Sequence, residues 1–163
     1  RARVPGVGVG LRWRGREASA CPAVSELMRA TTGEGKYVTV MNTTTIAAEL
    51  AKVTDHWTPR IIGQVNDQYV KVAKLLGEFV WHAHENEDEL FWVISGRLRI
   101  QLENRAEVVL EPGEFFVVPR GVRHNPIADD EVEIVLIETV TTTHTGDVVV
   151  ERTVPIERQL SAD

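Results

Sequence analysis

A single cysteine, Cys21, occurs among the 163 residues, so no internal disulfide framework holds this chain together, and a reducing cytoplasm is the expected compartment. No run of about 18 apolar residues exists either, which excludes a membrane-spanning helix. A clustered basic face is missing from the second half: residues 77–163 carry 7 basic and 18 acidic side chains, the reverse of what phosphate binding needs. Nucleic acid is therefore not an expected partner. Basic residues sit early instead, 11 against 6 acidic ones in residues 1–76. Arg1, Arg3, Arg12, Arg14 and Arg16 surround the glycine-rich stretch VPGVGVGL. A weakly patterned, glycine-rich end of this kind is expected to be mobile rather than a targeting peptide or a nucleic-acid arm.

With 43% hydrophobic residues, the chain is long enough for one domain with a sizeable core. Residues 1–40 read as an N-terminal extension with a candidate short helix over Val24 to Ala30. Residues 41–58 carry Thr43-Thr44-Thr45 ahead of IAAELAKV, a threonine-capped helix whose Ile46, Leu50 and Val53 share one face and should lie against something apolar. Residues 59–163 are expected to be all β. Strands are predicted at 61–65, 69–76, 78–84, 89–95, 97–103, 106–110, 115–118, 122–127 and 131–140, with a last one at 147–153. Turns are placed between them at sites that include Ser95-Gly96, Glu111-Pro112-Gly113 and Ala128-Asp129-Asp130. Short strands at regular spacing with no helix between them predict an antiparallel sandwich or barrel.

The stretch GEFVWHAHENEDELFWVISG, Gly77 to Gly96, carries the most chemistry. In a strand, His82 and His84 point to one face with Val80, while Phe79, Trp81 and Ala83 point to the other. A hairpin through Glu85-Asn86-Glu87-Asp88 sets Glu89 opposite His84 and Phe91 opposite His82, so two imidazoles and a carboxylate converge. A second segment, GEFFVVPRGVRH, has Pro119 and Gly121 at the second and fourth positions of a tight turn, and it presents His124 from another strand. Three neutral imidazoles and one carboxylate suit a divalent transition ion (Fe, Mn, Zn or Ni) and leave two octahedral positions open. Hydrogen-bonded core histidines are the bland alternative. The lack of a thiolate ligand disfavours a closed structural zinc site.

These two segments resemble the motifs of the cupin superfamily. The first, a glycine, HxH, a glutamate and a closing glycine, matches Gly77, His82, His84, Glu89 and Gly96, with four residues rather than five before the first histidine. The second matches Gly113, Pro119, Gly121 and His124; its closing asparagine is replaced by Ala128, although Asn125 adjoins His124. The resemblance spans roughly residues 60–155. It implies a double-stranded β-helix, the cupin jelly-roll barrel, with His82, His84, Glu89 and His124 as ligands. It leaves the reaction open, because cupins include oxygenases, lyases, isomerases and non-enzymatic proteins.

Other residues are weighed more plainly. Glu85, Glu87 and Asp88 are alternative carboxylates, read as a solvated loop. His56 and His144 lie outside the motif strands and are given surface roles. Phe91, Val93, Ile100, Phe116 and Val118 share the inward side, as core or as pocket lining. Arg120, Arg123 and Lys71 are weak candidates for holding an anionic group, and Tyr69 and Glu78 are weak candidates for a catalytic base. The aromatic face of Phe79, Trp81 and Trp92 needs a cover, for which the helix at 46–53 or a second copy of the chain is available; a homodimer is expected. Two functions remain: a metal-dependent oxygenase, lyase or isomerase acting on a small organic molecule, or a non-catalytic ligand-binding or sensor protein.

Overall fold

The computed structural model describes residues 43–160. The extension over 1–40, its arginines and the candidate helix at Val24–Ala30 lie outside the described residues. Among the described residues no helix is long and apolar enough to cross a membrane.

The threonine cap forms as its sequence predicts. Ala48 N donates to Thr45 Oγ1 at 3.1 Å and starts helix α1 (Ile46–Leu50), which is shorter than the apolar pattern suggested. Leu50 and, just beyond the helix, Val53 are buried with Val72 and Val135, and Ile46 packs beside them. Seven strands follow: β1 (Arg60–Val65), β2 (Gln68–Glu78), β3 (Glu89–Ser95), β4 (Leu98–Leu102), β5 (Val108–Leu110), β6 (Phe115–Val118) and β7 (His124–Thr139); a short helix α2 (Ile156–Gln159) comes last. Every pairing is antiparallel, in the order β1-β2-β7-β3-β6, with β4 joined to the start of β7 and to β5. The long β7 is the spine. Its first residues pair with β4 and the rest lie between β2 and β3.

Side-chain parity sorts the two faces of this wall. Ala73 and Leu75 of β2, Phe91 and Val93 of β3, and Val132, Ile134 and Leu136 of β7 point inward and form the main core with Leu98, Ile100 and Val118. The opposite parity on β2 and β7 supplies Val72 and Val135, which α1 covers.

Four expectations need correction. Residues 79–84 are not a regular strand: β2 runs only to Glu78, and the next segment makes one bridge, His82 with His124. The expected turn at Ala128–Asp130 is absent, because Ala128 is buried in register with Gly77 while Arg99 holds Asp129 at 3.1 Å on the exposed side, so one strand continues. Residues 147–153 form turns closed by local hydrogen bonds, such as Val148 N to Thr145 O and Thr153 N to Val150 O, rather than a strand. Phe79 faces inward, not outward. With the chain irregular beyond Glu78, alternation no longer holds, and Phe79 stacks on buried Trp57 at 4.7 Å between centroids. Trp57 adopts φ +61°, and its Nε1 donates to Leu76 O at 2.8 Å. Trp81 and Trp92 stay on the outside, where Trp92 pairs directly with Phe115.

Candidate metal centre

His82, His84, Glu89 and His124 come together. One ligand atom from each lies within 4.8 Å of the others, and all four residues are buried. The hairpin geometry expected for them is not how this is achieved. His82 is opposed to His124 through reciprocal backbone bonds of 3.0 and 2.9 Å, and Glu89 is opposed to Val118 on β6. The acidic loop before Glu89 makes other contacts: Asp88 Oδ1 accepts from Arg120 N at 2.9 Å and Glu87 Oε1 from Thr141 Oγ1 at 3.1 Å. Glu89 therefore reaches the histidines from across the barrel wall. The turn of the second segment also differs by one position. Val122 N donates to Pro119 O, so Gly121 is its third residue, at φ +73°, a conformation glycine adopts without cost. Gly121 N then donates to His84 O, tying this turn to the first segment.

The donor set suits a cation. His82 Nδ1 lies 2.8 Å from Val80 O and His124 Nδ1 lies 3.0 Å from Val122 O. Carbonyls only accept, so these contacts put a proton on each Nδ1 and leave the Nε2 lone pairs toward the cluster. His82 Nε2 is buried with no hydrogen-bond partner among the described residues. His84 Nε2 and His124 Nε2 face the same oxygen, Glu89 Oε2, at 3.2 and 3.1 Å. A lone pair facing a carboxylate oxygen requires a proton or a metal ion between them.

The electrostatics of the metal-free cluster agree. Burial pushes the His82 ring down to about 4, which keeps its lone pair free. Burial also opposes the charged form of His84, yet the Glu89 carboxylate raises its pKa above the ordinary value. For Glu89 burial acts upward, but hydrogen bonds from His124 and His84 hold it well below the usual carboxylate range.

Beside the cluster is a small cavity of about 30 Å³. Apolar side chains that include Trp57, Phe79, Phe91 and Leu136 wall it, and His82, Glu89 and His144 are its polar members. Phe91 is the one expected lining residue that borders it; Val93, Ile100 and Val118 are fully packed in the core and Phe116 packs against them. Tyr69 is buried with Lys71 Nζ 5.8 Å from its ring centre, while the exposed Glu78 accepts from Asn125 Nδ2 at 2.7 Å. Neither borders the cavity. Arg123 donates to Trp81 O and pairs with Asp147, and Arg120 is exposed.

Two features near the site escape sequence patterning. His144, read as a surface residue, is buried; its Nε2 is 3.1 Å from Arg152 O, and burial pushes its pKa down to about 4. His56 does lie at the surface, 2.8 Å from Glu131. Lys71, read as a loose anion-binding candidate, is wholly buried, ion-paired with Glu138 and bonded to Gln159 Oε1 at 2.8 Å. Burial and the charge of Glu89 push Glu138 up to about 7. The segment after β7 is clasped to the first histidine segment: Ala83 N donates to Asp147 Oδ1 at 2.9 Å and Asp147 N to Ala83 O at 3.0 Å.

Known proteins share this arrangement. The cupin domain family model matches residues 69–141. An uncharacterised protein of Bacillus subtilis, YdbB, is 38% identical over 63 residues, which are 39% of this chain and 56% of that protein. Acireductone dioxygenase of Bacillus licheniformis is 28% identical over 83 residues, 48% of this chain and 46% of that protein. The chain thus spans about half the length of the curated relatives it matches. A solved cupin-2 domain protein of Shewanella frigidimarina is 38% identical and superposes with a TM-score of 0.57, covering 59% of this chain and 93% of its own. A relative this similar, matched over nearly its whole length, leaves no other assignment for the antiparallel barrel: the chain belongs to the cupin superfamily, and its fold is the cupin jelly roll.

Proposed function

We propose that His82, His84, Glu89 and His124 hold one divalent transition-metal ion, and that the protein is a metal-dependent enzyme acting on a small organic molecule. The observation that carries this reading is the buried Nε2 of His82, unpartnered and aligned with two further Nε2 atoms around one carboxylate oxygen. When bound, the ion would supply Lewis acidity toward a substrate oxygen or, if it is iron, dioxygen chemistry. The chain's own contribution is positional. Val80 O and Val122 O fix the tautomer and direction of two rings, and the bridge between His82 and His124 fixes their spacing. The apolar walls of the cavity exclude bulk water from the open side of the cluster.

Among the chemistries open to a cupin, the similarity to acireductone dioxygenase supports an oxygenase over a lyase or isomerase, and with it iron over manganese, zinc or nickel. The smallness of the cavity supports the second reading, a non-catalytic binding or sensor protein, since about 30 Å³ holds little more than water. Self-association as a homodimer is part of the proposal; the exposed Trp92–Phe115 pair on the outer face supports it.

Elemental analysis of anaerobically purified protein tests the core claim. One metal ion per chain is expected in the native protein and none in His124→Ala, with the circular dichroism spectrum unchanged. Native protein that neither retains nor takes up a divalent ion overturns it.

A further inference from the structure

His144 is the polar cavity residue that the two motifs do not include. It stands in the segment that follows β7, where Gly146 approaches the first histidine segment so closely that a Cβ there would collide with Ala83 O and lie 3.2 Å from His82 Cδ2. The clasp between Asp147 and Ala83 holds this approach in place. The ring itself is oriented from behind. Its Nε2 meets Arg152 O, which accepts, so Nε2 carries the proton. Arg152 is anchored in turn, its Nη1 donating to Glu78 O at 3.0 Å. Thr145 Oγ1 and Thr153 Oγ1, 3.0 Å apart, brace the same turn.

With the proton on Nε2, Nδ1 is a pure acceptor. It is buried and has no hydrogen-bond partner among the described residues. An acceptor left in that state costs about 1–3 kcal/mol, and native proteins rarely leave one without a purpose. No side-chain donor from the surrounding walls reaches it: Trp57 Nε1 is turned to Leu76 O, and the other named wall residues, Phe79, Phe91 and Leu136, are apolar. Whatever enters the cavity meets the open side of the metal cluster at one end and this lone pair at another.

We propose that His144 is a substrate-binding residue whose Nδ1 accepts a hydrogen bond from an O–H or N–H of a molecule bound at the metal centre. The substrate class follows: a small, otherwise apolar molecule with a metal-binding oxygen and a hydrogen-bond donor close to it. An anionic group at the donor position is disfavoured, because a neutral ring with its proton turned to Arg152 O offers nothing to it. This proposal rests on the metal-site reading, and the test separates the two.

Cobalt(II)-loaded protein is titrated with acetohydroxamate and with N-methylacetohydroxamate, and binding is followed by the visible absorption of cobalt. Both probes chelate through the same two oxygens, but only the first keeps an N–H. The native protein is expected to favour acetohydroxamate by roughly three- to tenfold, the worth of one neutral hydrogen bond. His144→Phe conserves bulk and removes the acceptor, so the preference disappears while cobalt affinity stays within about twofold. His144→Asn enlarges the cavity yet keeps an acceptor near Nδ1, so the preference persists; a purely steric origin predicts its loss. Equal discrimination by native protein and His144→Phe, loss of discrimination in a folded His144→Asn, or no preference in the native protein each overturns the proposal. If His144→Phe does not fold, His144→Asn decides. Failure of the native protein to bind cobalt is a distinct result, which overturns the metal-site reading and this inference with it.

Discussion

Replacing Lys71 by methionine tests whether the interior of the barrel holds a desolvated ion pair. Lys71 and Glu138 are both wholly inaccessible to solvent, on neighbouring strands β2 and β7, where Tyr69 is in register with Glu138 and Lys71 with Leu136. Methionine keeps the length of the lysine stem and removes the ammonium. Glu138 then loses its cation, Gln159 Oε1 loses its donor, and Glu138 Oε2 already lacks a hydrogen-bond partner among the described residues. Breaking a buried pair from one side costs about 3–5 kcal/mol. Against the roughly 5–15 kcal/mol that holds a typical domain together, that is a large fraction.

The cost must depend on pH, and its sign follows from Glu138. Burial first, and then the charge of Glu89, raise its folded-state pKa from 4.5 to about 7 even with Lys71 beside it, and removing the ammonium raises it further. Between the unfolded and folded values the native state binds the extra proton, so stability present below the unfolded pKa is lost as pH rises through the folded one. The Lys71→Met penalty is therefore smallest near pH 5, where Glu138 is neutral and about 1–3 kcal/mol of lost hydrogen bonding remains. It grows to the full amount by about pH 8. Urea titrations at the two pH values measure it, with metal removed by a chelator so that no other cation compensates Glu138. Lys71→Met/Glu138→Met, which removes both charges at nearly constant volume, should recover most of the loss at high pH. A penalty independent of pH, or a double variant as weak as the single one at high pH, refutes the ion-pair account.

Three further outcomes are expected. Gly146→Ala drives a Cβ into Ala83 O and should destabilise by about 1–3 kcal/mol, visible as a lowered Tm with weaker cobalt binding; an unchanged Tm would show that the segment after β7 is not seated on the histidines. Trp57→Ala removes the stack on Phe79 and should cost about 3–5 kcal/mol, whereas Trp57→Phe keeps the stack and loses only the bond to Leu76 O, about 1 kcal/mol; urea midpoints distinguish them. A divalent ion at a hundred times its Kd should stabilise the native protein by about 2.7 kcal/mol in thermal melts, reversed by chelator and absent in His84→Ala.

How much of this was legible in the sequence depends on what each strand faces. The four candidate ligands were legible because histidine and glutamate at fixed offsets are informative even when the strand model is wrong. The predicted hairpin does not exist, yet Glu89 still converges with His82 and His84, because inward parity on β3 brings it to the same interior by another path. On β4, Leu98, Ile100 and Leu102 alternate with partly exposed polar residues, and the wall was readable from sequence. The irregular segment after Glu78 defeated alternation in one step, which is why Phe79 was assigned to the wrong face.

Lys71 and Glu138 were hidden for a different reason. On β2 both faces are covered, the inner by the barrel core and the outer by α1, so Val72 and Ala73 are equally buried and a lysine between them has no apolar contrast to reveal its direction. The same holds for Glu138, which follows the apolar run Ile134 to Ile137. His144 had no period at all, being placed by a turn and by the clasp of Asp147 on Ala83. A charged residue inside a strand that is apolar on both faces is therefore not evidence of a wet face. Such a group persists only where a partner neutralises it, and for Glu138 that partner, Lys71, lies in the same interior as the ligand Glu89, whose charge raises the pKa of Glu138. The barrel thus carries two linked charge clusters, and changing the net charge of one, by adding a divalent ion at the histidines, must lower the proton affinity of the other.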